Sequence, residues 1–354
     1  MTTSTDTSNE SRYEVAVVGG GPAGLTTALY TARLGHDTAV FDRGGGRAAM
    51  MQDTHNVIGT PESVSGNELL ETAVEKIQSY GADYHQEFVT GVKRIDDSFA
   101  LETTDGSAIA DSVVLATGFS DGRPEPPLPR TGRGLHCDAS MFVDEPVYMM
   151  GHDESAAHVA MIVLNVTDDV DLLLRGDEPT WSDETATILK HHPVDVIHED
   201  VTGVRNGDDG WLEALEFADS VGPRPTGSQT EPGDGTVRQY TGGFAMYGSE
   251  YNNALAASLG ADLNNDGMVD VDDHGRTSVG GLYAVGDLTT GHNQIPVAMG
   301  QGAKVGIAIH KEHREFPKSL GELETDGPVT ASDVPAMAAG LRSRANEHAS
   351  TADD

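Results

Sequence analysis

Cysteine is nearly absent from this 354-residue chain: Cys137 is the only one, so no internal disulfide framework can form. Basic residues are also scarce. Lysine and arginine together number 22 against 57 aspartates and glutamates, with lysine the rarer base. The net charge of −35 argues against nucleic acid or an anionic membrane as partner. No apolar run approaches the roughly 18 residues that would read as a membrane span. Met1 to Arg12 is polar and lacks the basic-then-apolar pattern of a secretory signal. A soluble cytoplasmic protein is the expectation. The acid excess, spread along the chain, resembles that of proteins from salt-loving microbes, which speaks of habitat and not of chemistry.

Glycine, by contrast, is abundant and placed. Gly19-Gly20-Gly21-Pro22-Ala23-Gly24 follows the apolar run Val15–Val18 and precedes a helical pattern of Leu25, Ala28, Leu29 and Ala32. Strand, glycine turn and helix is the setting in which G-x-G-x-x-G signals a dinucleotide site. The glycines allow a tight turn and close approach to a pyrophosphate, and the helix N-terminus offers N–H groups and a positive dipole end. A second strand, Thr38–Phe41, delivers Asp42 about 20 residues on, where a carboxylate can take ribose hydroxyls.

The length suggests two domains. Residues 13–42 form a βαβ opening, and Glu68–Tyr80 reads as a helix. Strand-like text with a turn at Thr104-Asp105-Gly106 leads to a buried strand, Ser112–Leu115, and to Ala116-Thr117-Gly118. The proline-rich stretch Arg123–Arg130 reads as a linker. A second βαβ unit follows: strand Val147–Met150, a turn at Gly151, a helix near Ser155–Asn165 and strand Val170–Leu174. Asp219–Gly235 reads as an inserted loop. The expected division is an N-terminal tail (1–12), a first domain (13–122 and 243–316) interrupted by a second (123–242), and a disordered C-terminal tail (326–354). The fold class is α/β, with two Rossmann-like three-layer domains, the second inserted in the first.

Three separated motifs line up: Gly19–Gly24 with Asp42, Ala116-Thr117-Gly118, and Gly281-Leu282-Tyr283-Ala284-Val285-Gly286-Asp287. Together they resemble the two-dinucleotide-fold flavoproteins, and within them the low-molecular-weight thioredoxin reductase family (class II pyridine nucleotide-disulfide oxidoreductases), in a haloarchaeal type. The likeness covers roughly residues 13–316. It is supported by Asn56 in Thr54–Gly59, by Ser65–Leu69, by Gly132-Arg133-Gly134 and by Gln294-Ile295. The resemblance implies FAD in the first domain. Asp42 would bind the adenosine ribose, Val89 the adenine through its backbone, and Asn56 the flavin. Asp287 would bond the ribityl chain, and the backbone of Gln294 and Ile295 would lie near the pyrimidine edge of the ring. It further implies a homodimer, NAD(P)H as donor and a small thioredoxin-like protein as acceptor.

Two departures qualify the likeness. The family's redox segment is C-x-x-C followed by Asp, whereas this chain reads Gly134-Leu135-His136-Cys137-Asp138-Ala139-Ser140. Cys137-Asp138 matches the second cysteine and its acid; in the other register Cys137 is the first cysteine and Ser140 stands for the second. Either way a single sulfur cannot run a dithiol cycle. Cys137 is then either a packed small hydrophobe or a thiolate beside the flavin, exchanging electrons with it or passing through a sulfenic acid, with Asp138 as proton donor. The second nucleotide loop is also altered, reading Gly151-His152-Asp153-Glu154-Ser155-Ala156. Its two carboxylates suit the helix dipole but repel a pyrophosphate. Of the family's basic cluster for a 2′-phosphate only Arg175 remains, so Gly151, Ser155 and Arg175 are the candidate NAD(P) contacts. NAD(P)H is accordingly a doubtful donor.

The remaining features point away from chemistry. Asp262–Gly267 with Asp273 resembles the start of a calcium loop, but lacks the flanking helices and the terminal Glu. His136, His191 and His192 have no metal-site spacing, and Trp181 and Trp211 are expected to pack in the second domain. The leading expectation is an FAD-dependent oxidoreductase with one flavin-proximal thiol and no metal. Alternatives are a modified NAD(P)H-linked thiol reductase, a ferredoxin- or oxygen-coupled flavoenzyme, and a non-catalytic flavin-binding sensor.

Overall fold

The computed structural model describes residues 11–122, 131–132, 139–208, 210–221, 236–246, 248–314 and 317–330. The N-terminal ten residues, the 123–130 linker, Cys137 and Asp138, most of the 219–235 loop and the tail beyond 330 lie outside the described residues. Two units emerge: Met1–Ser120 with Tyr251–Asp354, and Asp121–Glu250.

The first unit is built on a seven-stranded sheet whose order begins Asp83–His85, Thr38–Phe41, Ser11–Val18, Ser107–Leu115. It continues as an antiparallel meander through Ser98–Thr103 to Val89–Ile95. Leu282–Ala284 pairs in parallel with the C-terminal half of Ser107–Leu115, Leu282 opposite Val113. The central strand shows why the sheet must be covered on both faces. Val15 and Val17 belong to one apolar cluster, with Leu25, Ala28 and Ile309, while Ala16 and Val18 belong to another, with Phe99, Leu101 and Val269. Alternate residues of a strand point to opposite faces, so an unbroken apolar run marks burial on both.

Helices Pro22–Arg33, Gly66–Ser79 and Ile295–His313 supply residues to the first cluster. Gly66–Ser79 starts with a capping box, the Ser65 hydroxyl accepting from the Glu68 N–H. Pro22–Arg33 and Ile295–His313 approach through glycine: a Cβ on Gly302 would collide with the Ala23 carbonyl oxygen, and one on Gly306 would stand 2.6 Å from the Tyr30 Cβ.

The second unit has its own parallel sheet, ordered Val194–Ile197, Val170–Leu173, Val147–Met150, Gly242–Ala245, Thr131–Gly132. Val147 and Met149 pack in one cluster with Ala156, Ala160 and Leu189 from helices Glu154–Val163 and Asp183–Leu189. Tyr148 and Met150 pack in another with Leu215 and Phe217 of the three-stranded antiparallel layer and with Tyr240 just after its last strand. Each unit is thus a three-layer α/β sandwich, the second carried as an insertion in the first.

The return point of the chain differs from the sequence expectation of residue 243. Gly242–Ala245 pairs in parallel with Val147–Met150, so the chain rejoins the first unit only at Tyr251. The physical reason is the strand's own smallness: a Cβ on Gly243 would meet the Tyr148 carbonyl and ring, so glycine there signals close packing and not a boundary. Trp181 packs with the helical cluster as expected, whereas Trp211 is 38% exposed. A helix over Leu320–Asp326, opened by a Ser319–Glu322 capping box, was not foreseen.

Candidate functional site

Each unit carries a glycine turn at the carboxyl end of a parallel strand, the position at which open α/β sheets bind ligands. In the first unit the turn gathers the three motifs. Gly19, at φ +111, donates its N–H to the Phe41 carbonyl at 2.8 Å, and a Cβ on it would run into the Ala116 carbonyl. That contact brings Ala116-Thr117-Gly118 beside the turn. A Cβ on Gly20 would lie 2.5 Å from Asp42 Oδ2, so the absent side chain makes room for the carboxylate. A Cβ on Gly24 would collide with the Gly19 carbonyl, which closes the turn onto the helix. Gly286, at φ +69, fits because its missing Cβ would stand 2.9 Å from the Ala23 Cβ, which seats Asp287 at the same helix start.

The N-terminus of helix Pro22–Arg33 is prepared for an external anion. Its N-cap is Gly21 in extended conformation, with no side-chain cap, Pro22 in the first turn and no acid there. A Cβ on Gly21 would meet nothing within 4 Å, so the space above the helix end is open. First-turn N–H groups without a side-chain cap and an open approach are what a pyrophosphate requires. The residues present fit an adenine dinucleotide.

Polar pairs knit the surroundings. Tyr84 donates to Asp42 Oδ2 at 2.9 Å, and burial together with that carboxylate pushes the Tyr84 phenol up. Arg47 Nη1 donates to Asp287 Oδ2 at 3.1 Å, with its guanidinium 4.3 Å from the Phe119 ring centroid. Asn56 Nδ2 donates to Gln294 Oε1 at 2.6 Å, joining two residues that the sequence placed far apart. Gln294 caps helix Ile295–His313 without a side-chain bond, and Ile295 is buried. The Thr117 hydroxyl donates to the Asn252 carbonyl and the Asn252 amide returns to the Thr117 carbonyl, both at 2.8 Å. Val89 opens strand Val89–Ile95 with its side chain in the core that holds Phe41, and no described hydrogen bond joins it to the Asp42 group.

The second turn has the same backbone logic and a different occupant. Gly151, at φ +153, is held by the Leu173 carbonyl at 3.1 Å and lacks room for a Cβ beside Ala156. Helix Glu154–Val163, however, is capped by Asp153, whose Oδ1 accepts from the Ala156 N–H at 2.8 Å. Glu154 is engaged as well: its carboxylate accepts from the Ser182 N–H at 2.8 Å and from the Thr185 hydroxyl, and those bonds hold its carboxyl below the usual range. Thr180 N–H reaches the His152 carbonyl at 2.8 Å. Arg175 sits at φ +56 after the neighbouring strand, and Ser155 is exposed. The donor that a pyrophosphate would use here is already satisfied by the chain's own carboxylate. These residues do not fit a dinucleotide phosphate in the usual mode.

The model of the pyridine nucleotide-disulphide oxidoreductase family matches residues 13–302. The chain belongs to that family. Its similarity to a thioredoxin reductase of Peptoclostridium litorale is 27% identity over 321 residues, covering 87% of this chain and 99% of the relative. A thioredoxin reductase of Aquifex aeolicus is 25% identical over 84% of this chain and 93% of its own length. Among solved structures, thioredoxin reductase from Streptococcus pyogenes superposes with a TM-score of 0.76 at 25% identity, covering 87% of this chain and all of that one. The chain is thus a thioredoxin reductase-like oxidoreductase, with the two-domain Rossmann-like fold of such flavoproteins.

In this oxidoreductase the structure brings together Gly19, Gly21, Pro22, Ala23, Gly24, Asp42, Ala116, Gly286 and Asp287, and separately pairs Asn56 with Gln294. Cys137 and Asp138 fall outside the described residues. Sequence reasoning missed Arg47, Tyr84, Asn252 and Gln301, whose Oε1 accepts from the Gly286 N–H at 2.8 Å. A signal existed for Arg47 alone: it follows Gly44-Gly45-Gly46, all three at φ between +78 and +91, a turn that only glycines sustain. The apparent calcium turn is an Asx turn, Asn264 Oδ1 accepting from the Asp266 and Met268 N–H groups at 3.0 Å. His191 and His192 each bond back to a carbonyl one helical turn earlier.

Proposed function

We propose that this oxidoreductase is FAD-dependent, with the flavin nucleotide seated on the Gly19–Gly24 turn of the first unit. The observation that carries the reading is the convergence of Asp42, Ala116 and Gly286 on one uncapped helix N-terminus. Helix N–H groups from Ala23 onward would bind the pyrophosphate. Asp42, oriented by Tyr84, would accept from ribose hydroxyls, and Asp287, held by Arg47, would accept from the ribityl chain. Asn56 and Gln294, locked to each other, would fix the edge of the ring system together with Ile295. Val89 and the Thr117–Gly118 backbone would border the same nucleotide. The flavin itself supplies the capacity to take and release electrons in pairs or singly.

The acceptor chemistry is assigned to Cys137, with Asp138 as its proton partner. A lone thiol excludes the two-cysteine cycle in which one sulfur attacks a partner disulfide and the other resolves it. A small thioredoxin- or ferredoxin-like protein, or a small-molecule acceptor, is the proposed partner of a homodimeric cytoplasmic enzyme. A second reading is favoured by Asp153: occupation of the Ala156 N–H argues that electrons arrive from a donor other than NAD(P)H, such as a ferredoxin or another flavin reductant.

Three measurements test this. The purified chain should be yellow, or become so on incubation with FAD; a colourless protein that cannot be reconstituted overturns the flavin assignment. Anaerobic mixing with NADPH or NADH should leave the flavin oxidised over minutes, whereas rapid bleaching restores a pyridine-nucleotide donor. Cys137→Ser should abolish turnover with the natural acceptor while the flavin remains bound; unchanged turnover reduces Cys137 to a packing residue.

A further inference from the structure

A second cluster lies at the opposite end of helix Ile295–His313, roughly 27 Å from its N-terminus at the helical rise per residue. We propose that Glu14, His36 and His313 form a binding site for a divalent transition-metal ion of the zinc type. Glu14 comes from the first strand, His36 from the turn after helix Pro22–Arg33, and His313 from the last turn of the final sheet-covering helix. One ligand atom from each lies within 4.8 Å of the other two. Two imidazoles and one carboxylate are a ligand set that suits zinc and its neighbours in the first transition row.

The spacing favours an ion over a simple hydrogen bond. His36 Nδ1 stands 3.3 Å from Glu14 Oε1, long for N–H···O. A tetrahedral ion with bonds of about 2.0–2.1 Å holds neighbouring ligand atoms about 3.3–3.4 Å apart. The Glu14–His36 pair already has that separation, and the ion would take the place of the Nδ1 proton. Both imidazoles are supported on their other nitrogen: Ser112 Oγ stands 2.8 Å from His313 Nε2, and His310 Nδ1 stands 3.1 Å from His36 Nε2. Such partners fix the ring and leave Nδ1 for the metal. The His36 side chain is fully buried, so its orientation is set by the fold before any ion arrives.

The charge around the cluster is mixed. Arg314 donates to Glu14 Oε1 at 2.8 Å and to the Gly35 carbonyl at 2.8 Å, and the Asp37 N–H donates to Glu14 Oε2 at 2.9 Å. Arg314 also reaches Glu14 Oε2 at 3.4 Å, so it engages both carboxylate oxygens; an ion at Oε1 would displace it from there and leave it anchored on the Gly35 carbonyl. The bound ion would tie together three segments that are distant in sequence: residues 14, 36 and 313.

The test uses the full-length, FAD-loaded chain stripped with a chelator and then titrated with Zn²⁺ or Co²⁺. The expected result is saturable uptake of one ion per chain, visible Co²⁺ bands of nitrogen ligation, and a rise in the unfolding midpoint that the chelator reverses. His313→Gln and Glu14→Gln, each verified as folded by circular dichroism, should weaken uptake by roughly tenfold or more. Absence of one-per-chain uptake, or uptake of wild-type strength in both variants, would overturn the site.

Discussion

The sharpest test of how this enzyme receives electrons is the removal of one carboxylate, Asp153. Its Oδ1 occupies the Ala156 N–H at 2.8 Å, the position in which a dinucleotide phosphate would sit. A carboxylate and a phosphate held about 4 Å apart repel by about 1 kcal/mol at the dielectric of bulk water and by about 4 kcal/mol near a protein surface. Asp153→Ser keeps a hydroxyl cap and deletes the charge, so the NADPH dissociation constant should fall by at least about fivefold. Asp153→Gly also frees the Ala156 N–H. A hydrogen bond to a charged group contributes about 1.5–3 kcal/mol, so this variant should bind another tenfold or more tightly. The cost to the helix is small, a few tenths of a kcal/mol for glycine at an N-cap. The assay is anaerobic titration of the FAD-loaded protein with NADPH and NADH, read by flavin bleaching and by calorimetry. The gap between wild type and Asp153→Ser should narrow with salt, because the Debye length falls from about 10 Å at 0.1 M to about 3 Å at 1 M. Equal affinities across the three proteins, or a wild-type flavin bleached within seconds by micromolar NADPH, would refute the reasoning.

Further expectations follow from the same geometry. Gly20→Ala pushes a methyl to 2.5 Å from Asp42 Oδ2, so the carboxylate must turn from its Tyr84 bond; FAD affinity should drop by about tenfold or more with little loss of secondary structure, measured by flavin release on dilution. Asp42→Asn should likewise weaken FAD by about 10- to 100-fold, since a charge-assisted bond becomes a neutral one. In the second unit Arg238 is fully buried and donates to Asp171 at 2.8 Å and to Asp195 at 2.7 Å, with Tyr240 donating to the same Asp171 at 2.6 Å. Arg238→Met strands those acids and should cost about 3–5 kcal/mol in urea unfolding, with partial recovery when Asp171 is changed to Leu in the same chain. Gly302→Val should part helices Pro22–Arg33 and Ile295–His313 and cost about 1–3 kcal/mol, with flavin lost in step because Ala23 lies at the contact.

What was legible in the sequence was whatever local chemistry dictates. Gly19, Gly20 and Gly24 are readable because only glycine permits those approaches, and Asp42 because the strand before it has a fixed length. The reading failed where a residue's meaning depends on a partner far along the chain. Gly243 resembled the end of a domain, yet it is glycine because Tyr148 fills the space a Cβ would need. Arg47 and Asp287 are separated by most of the chain and find each other only once the sheet has formed. The same holds for Asn252 on Thr117 and Gln301 on Gly286. Asp153 is the instructive middle case. From the sequence it is a carboxylate where the motif wants glycine, suited to the helix dipole and repelling a pyrophosphate; the structure adds that it caps the helix, accepting from the Ala156 N–H. The two glycine turns therefore differ less in backbone than in what satisfies the helix behind them. The first has no side-chain cap; the second satisfies the Ala156 N–H with Asp153 from within. Asp153→Gly, which removes that cap while the three-layer fold around it is retained, is therefore the variant expected to turn the closed second turn into one open to an anion.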